Sequence, residues 1–263
     1  MAGPAPRWYD AYIFDLDGTI YLGEALLPPA GETLAALRAR GRRLVFLSNN
    51  PTHSRAEYAA KLTRLGVPTP PEDVLNSSMV MVSFLRQSLP CARLFVIGEE
   101  PLCADLRAAG FTLVDDARQT DAVIASFDRT FTYRKLQIAF DALRAGARFF
   151  ATNGDRYCPV PGGGEPDAAA IIAAMEACTG RICEAIVGKP SRHTIDAILA
   201  LVSAPAAACL MTGDRLETDI RMGLDAGMAT ALTLTGATPA SALVGSAIQP
   251  TYVIHQLADL LVD

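Results

Sequence analysis

Four short segments of the chain each follow an apolar run and each carry polar residues able to do chemistry. They are Asp15-Leu16-Asp17-Gly18-Thr19, Ser48-Asn49-Asn50, Gly188-Lys189-Pro190 and Gly213-Asp214, the last with Asp219 five residues on. Singly, each is ordinary, since acidic residues begin many loops. Together they offer carboxylates, a hydroxyl, amides and one lysine, and that set suits phosphoryl transfer. A carboxylate attacking a phosphate dianion meets repulsion of ~4 kcal/mol per pair of unit charges at about 4 Å and an effective dielectric near 20. Compensating cations are therefore required. Mg2+, a hard ion that seeks octahedral oxygen ligands, meets that need when held by carboxylates and carbonyls. Lys189 adds a second positive charge, and Ser48 with neighbouring backbone amides can hydrogen-bond the phosphoryl oxygens. Positioning and charge stabilisation are most of what such a transfer requires.

The elements that must hold these segments alternate. Short apolar runs at 12–14, 44–47, 94–97, 122–125, 149–151, 185–187, 209–211 and 229–234 read as strands. Helical spacing fits at 28–40, 55–65, near 99–109, and at 132–145, 166–178, 191–202 and 216–226, with Gly41 and Gly66 as C-terminal stops. Such alternation predicts an α/β protein built on a mainly parallel sheet. In open parallel sheets ligands bind beyond the carboxyl ends of the strands, which is where the four segments lie. One long irregular segment, Asn153–Glu165, is expected to be functional or mobile.

DLDGT at 15–19, SNN at 48–50, GKP at 188–190 and GDRLETD at 213–219 resemble the four ordered motifs of the haloacid dehalogenase superfamily. Thr19-Ile20-Tyr21 and ATNGD at 151–155 make the chain similar to the NagD-like, 4-nitrophenylphosphatase-type branch, from Tyr12 to about Leu261. The resemblance implies a Mg2+-dependent phosphatase of small phosphomonoesters. Asp15 would be the nucleophile and form an aspartyl-phosphate. Asp17 would be the general acid and then the base that activates water. Mg2+ would be held by the Asp15 side chain, the Asp17 carbonyl and the Asp214 side chain, with Asp219 behind them holding metal-bound water or Lys189. Ser48, the amides near Asn49 and Asn50, and Lys189 would bind the phosphoryl group. Asp17 also favours phosphate esters over carbon–halogen bonds, because an oxygen leaving group needs a proton and a halide does not.

The stretch between Ser48 and Lys189 is several times longer than the intervals on either side of it. That asymmetry marks an insertion. The resemblance makes it an α/β cap at 81–182, interrupting a Rossmann-like core formed by 1–80 and 183–263 that resumes before Glu184–Val187. Asp155–Gly164 would be a specificity loop, with Asp155, Arg156 and Tyr157 as candidates for contact with the substrate and Gly162-Gly163-Gly164 as a flexible hinge. The three glycines are not a P-loop, since no Lys-Ser/Thr follows. Gly164-Glu165-Pro166-Asp167 departs from the commoner family pattern, and Pro166 suits a first helical turn there.

The 263 residues are 51% hydrophobic and only 19% charged, which excludes a disordered chain. A net charge of −5 with no basic cluster excludes a nucleic-acid footprint. No long apolar span predicts a membrane helix, and the N-terminal MAGPAPRWYD lacks the apolar stretch of a signal peptide. A cytoplasmic protein is expected, with a small phosphorylated metabolite as partner; the resemblance allows a homodimer through the cap. Six cysteines without a CxxC pair read as free thiols, and the three scattered histidines as no metal site. Rival readings are a phosphoryl-accepting receiver-like signalling domain, a phosphomutase of the same superfamily and a catalytically silent binding protein.

Overall fold

Ala11, Tyr12, Ile13 and Phe14 are all fully buried, on both faces of one strand, and that strand sets the architecture. The computed structural model describes residues 7–160 and 162–262. The first six residues of the N-terminal decapeptide, Pro161 of the segment 153–165 and Asp263 lie outside them. In chain order the strands are β1 (Ala11–Asp15), β2 (Tyr21–Leu22), β3 (Ala25–Leu26), β4 (Arg43–Ser48), β5 (Val74–Asn76), β6 (Arg93–Ile97), β7 (Thr112–Leu113), β8 (Ala122–Ala125), β9 (Arg148–Ala151), β10 (Tyr157–Val160), β11 (Gly163–Pro166), β12 (Ala185–Ile186), β13 (Cys209–Gly213), β14 (Ala229–Thr233) and β15 (Tyr252–Ile254). The α-helices are α1 (Ala30–Ala39), α2 (Arg55–Arg64), α3 (Ser77–Ser88), α4 (Glu100–Ala108), α5 (Tyr133–Arg144), α6 (Ala168–Thr179), α7 (Arg192–Val202) and α8 (Arg221–Asp225).

The chain forms two compact units. One comprises the described residues of Met1–Ser48, Arg55–Leu75 and Thr194–Asp263, the other those of Asn49–Ser54 and Asn76–His193. In the first, six strands run in the order β15-β14-β13-β1-β4-β5. Tyr12 lies opposite Leu44 on one side and Leu210 on the other, in parallel register. Strand order reverses beside β1, which opens a crevice at the carboxyl ends of β1 and β13. Tyr12 and Phe14 share one face and stack at 6.2 Å, and Phe14 stacks on Phe46 at the same spacing. Leu34 and Leu37 of α1, Leu62 of α2, Leu210 and Leu257 complete that core. Burying each such side chain stabilises the fold by roughly 1.5–3 kcal/mol.

The second unit has its own parallel sheet, ordered β12-β9-β8-β6-β7. Phe95, Val123 and Phe149 from its strands pack with Leu143 of α5 and Ile171 and Met175 of α6. Three expectations are corrected here. The run at 185–187 does not resume the first sheet: Ala185 and Ile186 pair with Phe150 and Ala151 of β9. Residues up to His193 therefore group with the second unit. The segment 153–165 is not irregular throughout, because β10 and β11 pair antiparallel as a hairpin with Tyr157 opposite Pro166. Pro166 accordingly ends a strand, and α6 begins only at Ala168, capped by Asp167. The α/β class and the parallel sheets are as expected. Among the described residues the six cysteines are free, and no helix is long and apolar enough to cross a membrane.

Candidate active site

Asp15 is the last residue of β1 and is buried. The chain then turns sharply: the N–H of Ile20 donates to the carbonyl of Leu16 at 2.8 Å, and that of Gly18 to the carbonyl of Tyr21 at 2.8 Å. Gly18 has φ +83°, and a Cβ there would also come within 2.5 Å of Asp214 Oδ2. Only glycine satisfies both demands. Thr19 Oγ1 lies 3.4 Å from Asp15 Oδ2. Two residues apart, the two carboxylates differ in surroundings, since Asp17 is exposed where Asp15 is buried. Burial, followed by the negative charge of Asp17, raises the pKa of the buried Tyr21 phenol well above its ordinary range.

Carboxylate oxygens of Asp15, Asp214 and Asp219 all lie within 4.8 Å of one another, and all three residues are buried. Asp214 follows β13. Its Oδ2 accepts from the Ala237 N–H at 2.6 Å, and its carbonyl from the Thr238 N–H at 3.2 Å. Thr235 Oγ1 donates to the Gly18 carbonyl at 2.6 Å, tying that loop to the turn after β1. A Cβ on Gly236 would overlap the Asp214 carboxylate, and one on Gly213 the Asp219 side chain. In place of a regular helix start, Leu216–Ile220 form one π turn, closed by Ile220 N–H donating to Arg215 O at 3.2 Å. Such turns recur at functional sites. This one brings Asp219 back toward β13, where its Oδ2 accepts the Arg215 N–H at 3.1 Å. Three converging buried carboxylates repel one another unless a cation sits among them, and an all-oxygen donor set fits a hard divalent ion.

Ser48 closes β4, is buried, and its Oγ donates to the Tyr58 hydroxyl at 3.1 Å. The next two residues belong to the second unit. Asn49 Oδ1 accepts the Lys189 N–H at 2.7 Å, while Nδ2 donates to Asp155 Oδ2 at 2.8 Å and to the Lys189 carbonyl at 3.4 Å. Asn50 Oδ1 accepts from the N–H and Oγ1 of Thr52. Lys189 is buried, and Gly188 before it leaves no room for a Cβ, which would meet Thr152 O at 2.5 Å. Asn153, fully buried, donates to Asp155 at 3.1 Å and to Asp167 at 3.0 Å. Asp167 in turn caps α6, so the departure at Gly164–Asp167 belongs to a polar network. Arg156 and Tyr157 are exposed, with Tyr157 packed over Gly164.

Within the first unit the structure thus brings together Asp15, Asp214 and Asp219, with Asp17 and Ser48 on adjoining turns and strands. Within the second it joins Asn49, Asp155 and Lys189. Sequence reasoning passed over the loop Thr235–Thr238, although it too follows a strand end and contains a Thr-Gly turn. It also passed over Tyr58, and it took in Asn153 only as part of ATNGD and Asp167 only beside a helix N-terminus, where Asp167 does cap α6.

Two family models match the chain: a haloacid dehalogenase-like hydrolase over residues 12–112 and a HAD-hydrolase-like family over 186–260. The sugar-phosphatase AraL of Bacillus subtilis is 37% identical over 94% of this chain and 90% of its own. The 5'-nucleotidase YutF of the same organism is 32% identical over 96% and 98%. Among solved structures, a 4-nitrophenylphosphatase from Thermotoga maritima superposes with a TM-score of 0.90 at 35% identity, covering 95% of each chain. NagD of E. coli superposes at 0.89 and 30% identity, covering 97% of this chain and 99% of its own. With relatives of this kind along nearly its whole length, the chain is a phosphoric monoester hydrolase and belongs to the haloacid dehalogenase-like hydrolases.

Proposed function

We propose that this phosphatase hydrolyses small phosphomonoesters, such as a sugar phosphate or nucleotide, in two steps through an aspartyl-phosphate on Asp15, with Mg2+ as cofactor. The observation that carries the reading is the buried cluster of Asp15, Asp214 and Asp219 at the carboxyl ends of β1 and β13. Mg2+, held by the side chains of Asp15 and Asp214 and the carbonyl of Asp17, with Asp219 behind them, would offset the charge between nucleophile and phosphate. An Asp15 carboxylate oxygen attacks phosphorus and the ester P–O bond breaks. Asp17, exposed to solvent, gives the departing oxygen its proton. In the second step Asp17 takes a proton from water, the resulting nucleophile attacks phosphorus, and inorganic phosphate leaves with Asp15 restored. Splitting one hard displacement in this way gives two easier ones. Ser48, the backbone amides near Asn49 and Asn50, and Lys189 would bind the phosphoryl oxygens.

We assign the inserted α/β unit to substrate recognition as a cap domain, with Arg156 and Tyr157 as the exposed groups that meet the rest of the substrate. Relatives named as a sugar-phosphatase and a 5'-nucleotidase support a small phosphorylated metabolite. Similarity to phosphatases along nearly the whole chain favours hydrolysis over a receiver or mutase role. A phosphate-release screen over sugar phosphates, nucleotides and small phosphates with Mg2+, using Asp15→Asn as the blank, tests the proposal. Turnover that requires Mg2+ and disappears in the blank is expected; Mg2+-independent activity surviving in Asp15→Asn would overturn it.

A further inference from the structure

Both polar ends of the Asn49 side chain are engaged by neighbouring protein groups. Its Oδ1 takes the Lys189 N–H at 2.7 Å, and its Nδ2 is shared between Asp155 Oδ2 at 2.8 Å and the Lys189 carbonyl at 3.4 Å. One amide therefore closes on both backbone polar groups of a single residue. Its orientation is fixed by chemistry: reversed, it would set a carbonyl against the Asp155 carboxylate and an NH2 against the Lys189 N–H, losing every bond. Asp155 is itself held by Asn153 at 3.1 Å, and Asn153 by Asp167 at 3.0 Å, at the N-terminus of α6. Gly188, packed against Thr152 O and Asn49 Oδ1, lets the lysine backbone approach this closely.

We propose that Asn49 is a positioning residue for Lys189, and that Asp155 acts as the acceptor that orients the Asn49 amide. The inference rests on the reading of Lys189 as the cation that stabilises the phosphoryl group. It gives Asp155 a different task from direct substrate contact and links the segment bearing Arg156 and Tyr157 to the lysine through two hydrogen bonds.

The test is a double-mutant cycle on kcat/KM for 4-nitrophenyl phosphate, comparing wild type, Asn49→Ala, Lys189→Met and the double variant. A residue that works through Lys189 has nothing left to position once the lysine head is gone. Asn49→Ala is expected to cost about ten- to a hundredfold in the wild-type background, the range seen when supporting residues of a site are removed, and less than about twofold in Lys189→Met. A full additional loss in Lys189→Met, with that variant itself impaired, would overturn the clamp while sparing the assignment of Lys189. Full activity of Lys189→Met would overturn the assignment and the clamp with it. If Asn49→Ala does not fold, Asp155→Ala, which removes the acceptor that orients the Asn49 amide, takes its place in the cycle. It should show the same pattern, a loss of about tenfold or more in the wild-type background and less than about twofold in Lys189→Met. A full additional loss in Lys189→Met would count against the clamp.

Discussion

The backbone N–H of Ala237 donates to Oδ2 of Asp214 at 2.6 Å, and the residue before it, Gly236, faces the same carboxylate so closely that a Cβ would overlap it. The Asp214 carboxylate is thus held by the backbone of the loop Thr235–Thr238. Gly236→Ala is expected to displace Asp214 by an ångström or so and lower kcat by about a hundredfold, the cost of a misplacement of that size. Mg2+ titration of activity should show a weaker half-saturation in the same variant. The thermal midpoint, read alongside, separates this from general unfolding.

Asp17 is exposed and two residues from the buried Asp15, which suits an acid that must meet a leaving group. Asp17→Asn should slow the hydrolysis of alkyl phosphates by about 10²–10⁴-fold, the usual contribution of a positioned acid or base. Its half-saturating Mg2+ should stay close to wild type, because the backbone carbonyl survives the substitution. Steady-state phosphate release against Mg2+ concentration reads both quantities. Wild-type turnover would remove Asp17 from the proton path.

Arg156 and Tyr157 stand exposed, Tyr157 at the start of the β10–β11 hairpin. Arg156→Ala with Tyr157→Ala is expected to reorder KM across a panel of sugar phosphates and nucleotides by fivefold or more. The kcat on 4-nitrophenyl phosphate should change by less than about twofold, since uniform binding contacts act on KM. An unchanged ranking would assign recognition to other residues.

Glu99 receives both the Nε and an Nη of Arg129 at 2.7 Å, and this pairing holds its carboxyl below the ordinary 4.5. A carboxyl whose pKa is depressed on folding contributes stability that is complete above its unfolded value and is lost as pH falls through the folded one. Urea unfolding at pH 7 and at pH 3 should therefore show a larger loss for wild type than for Glu99→Gln. Equal slopes with pH would dismiss the pair as a source of acid sensitivity.

The strands were legible because a strand buried on both faces reads as an unbroken apolar run, as AYIFD of β1 and AVIA of β8 do. The run at 185–187 was legible as a strand but its sheet was not, since pairing with β9 is a tertiary choice that two or three residues cannot encode. Helix α3 went unread because Ser77-Ser78 looks like a turn and Met79-Val80-Met81-Val82 has no helical spacing. Asn76 nevertheless caps it by accepting the Met79 N–H at 3.0 Å. Glycine and proline hid the hairpin in the same way. At the site, side chains that carry charge announced themselves at strand ends. The hold of the loop on Asp214 did not, because it is made by the Ala237 backbone N–H and by the absence of a side chain at Gly236.

The strand bearing Asp15 has neighbours from opposite ends of the chain: Tyr12 faces Leu44 on one edge and Leu210 on the other. On the ribosome β4 follows within one helix, but β13 emerges only after the whole second unit has been made. Until then β1 has one apolar edge without a partner, and open edges of this kind invite association with other chains. Asp214 and Asp219 arrive with the same late segment, so the acidic cluster and the protection of β1 are completed together. A chain stalled before residue 209 would be both inert toward phosphate esters and the form most prone to aggregate.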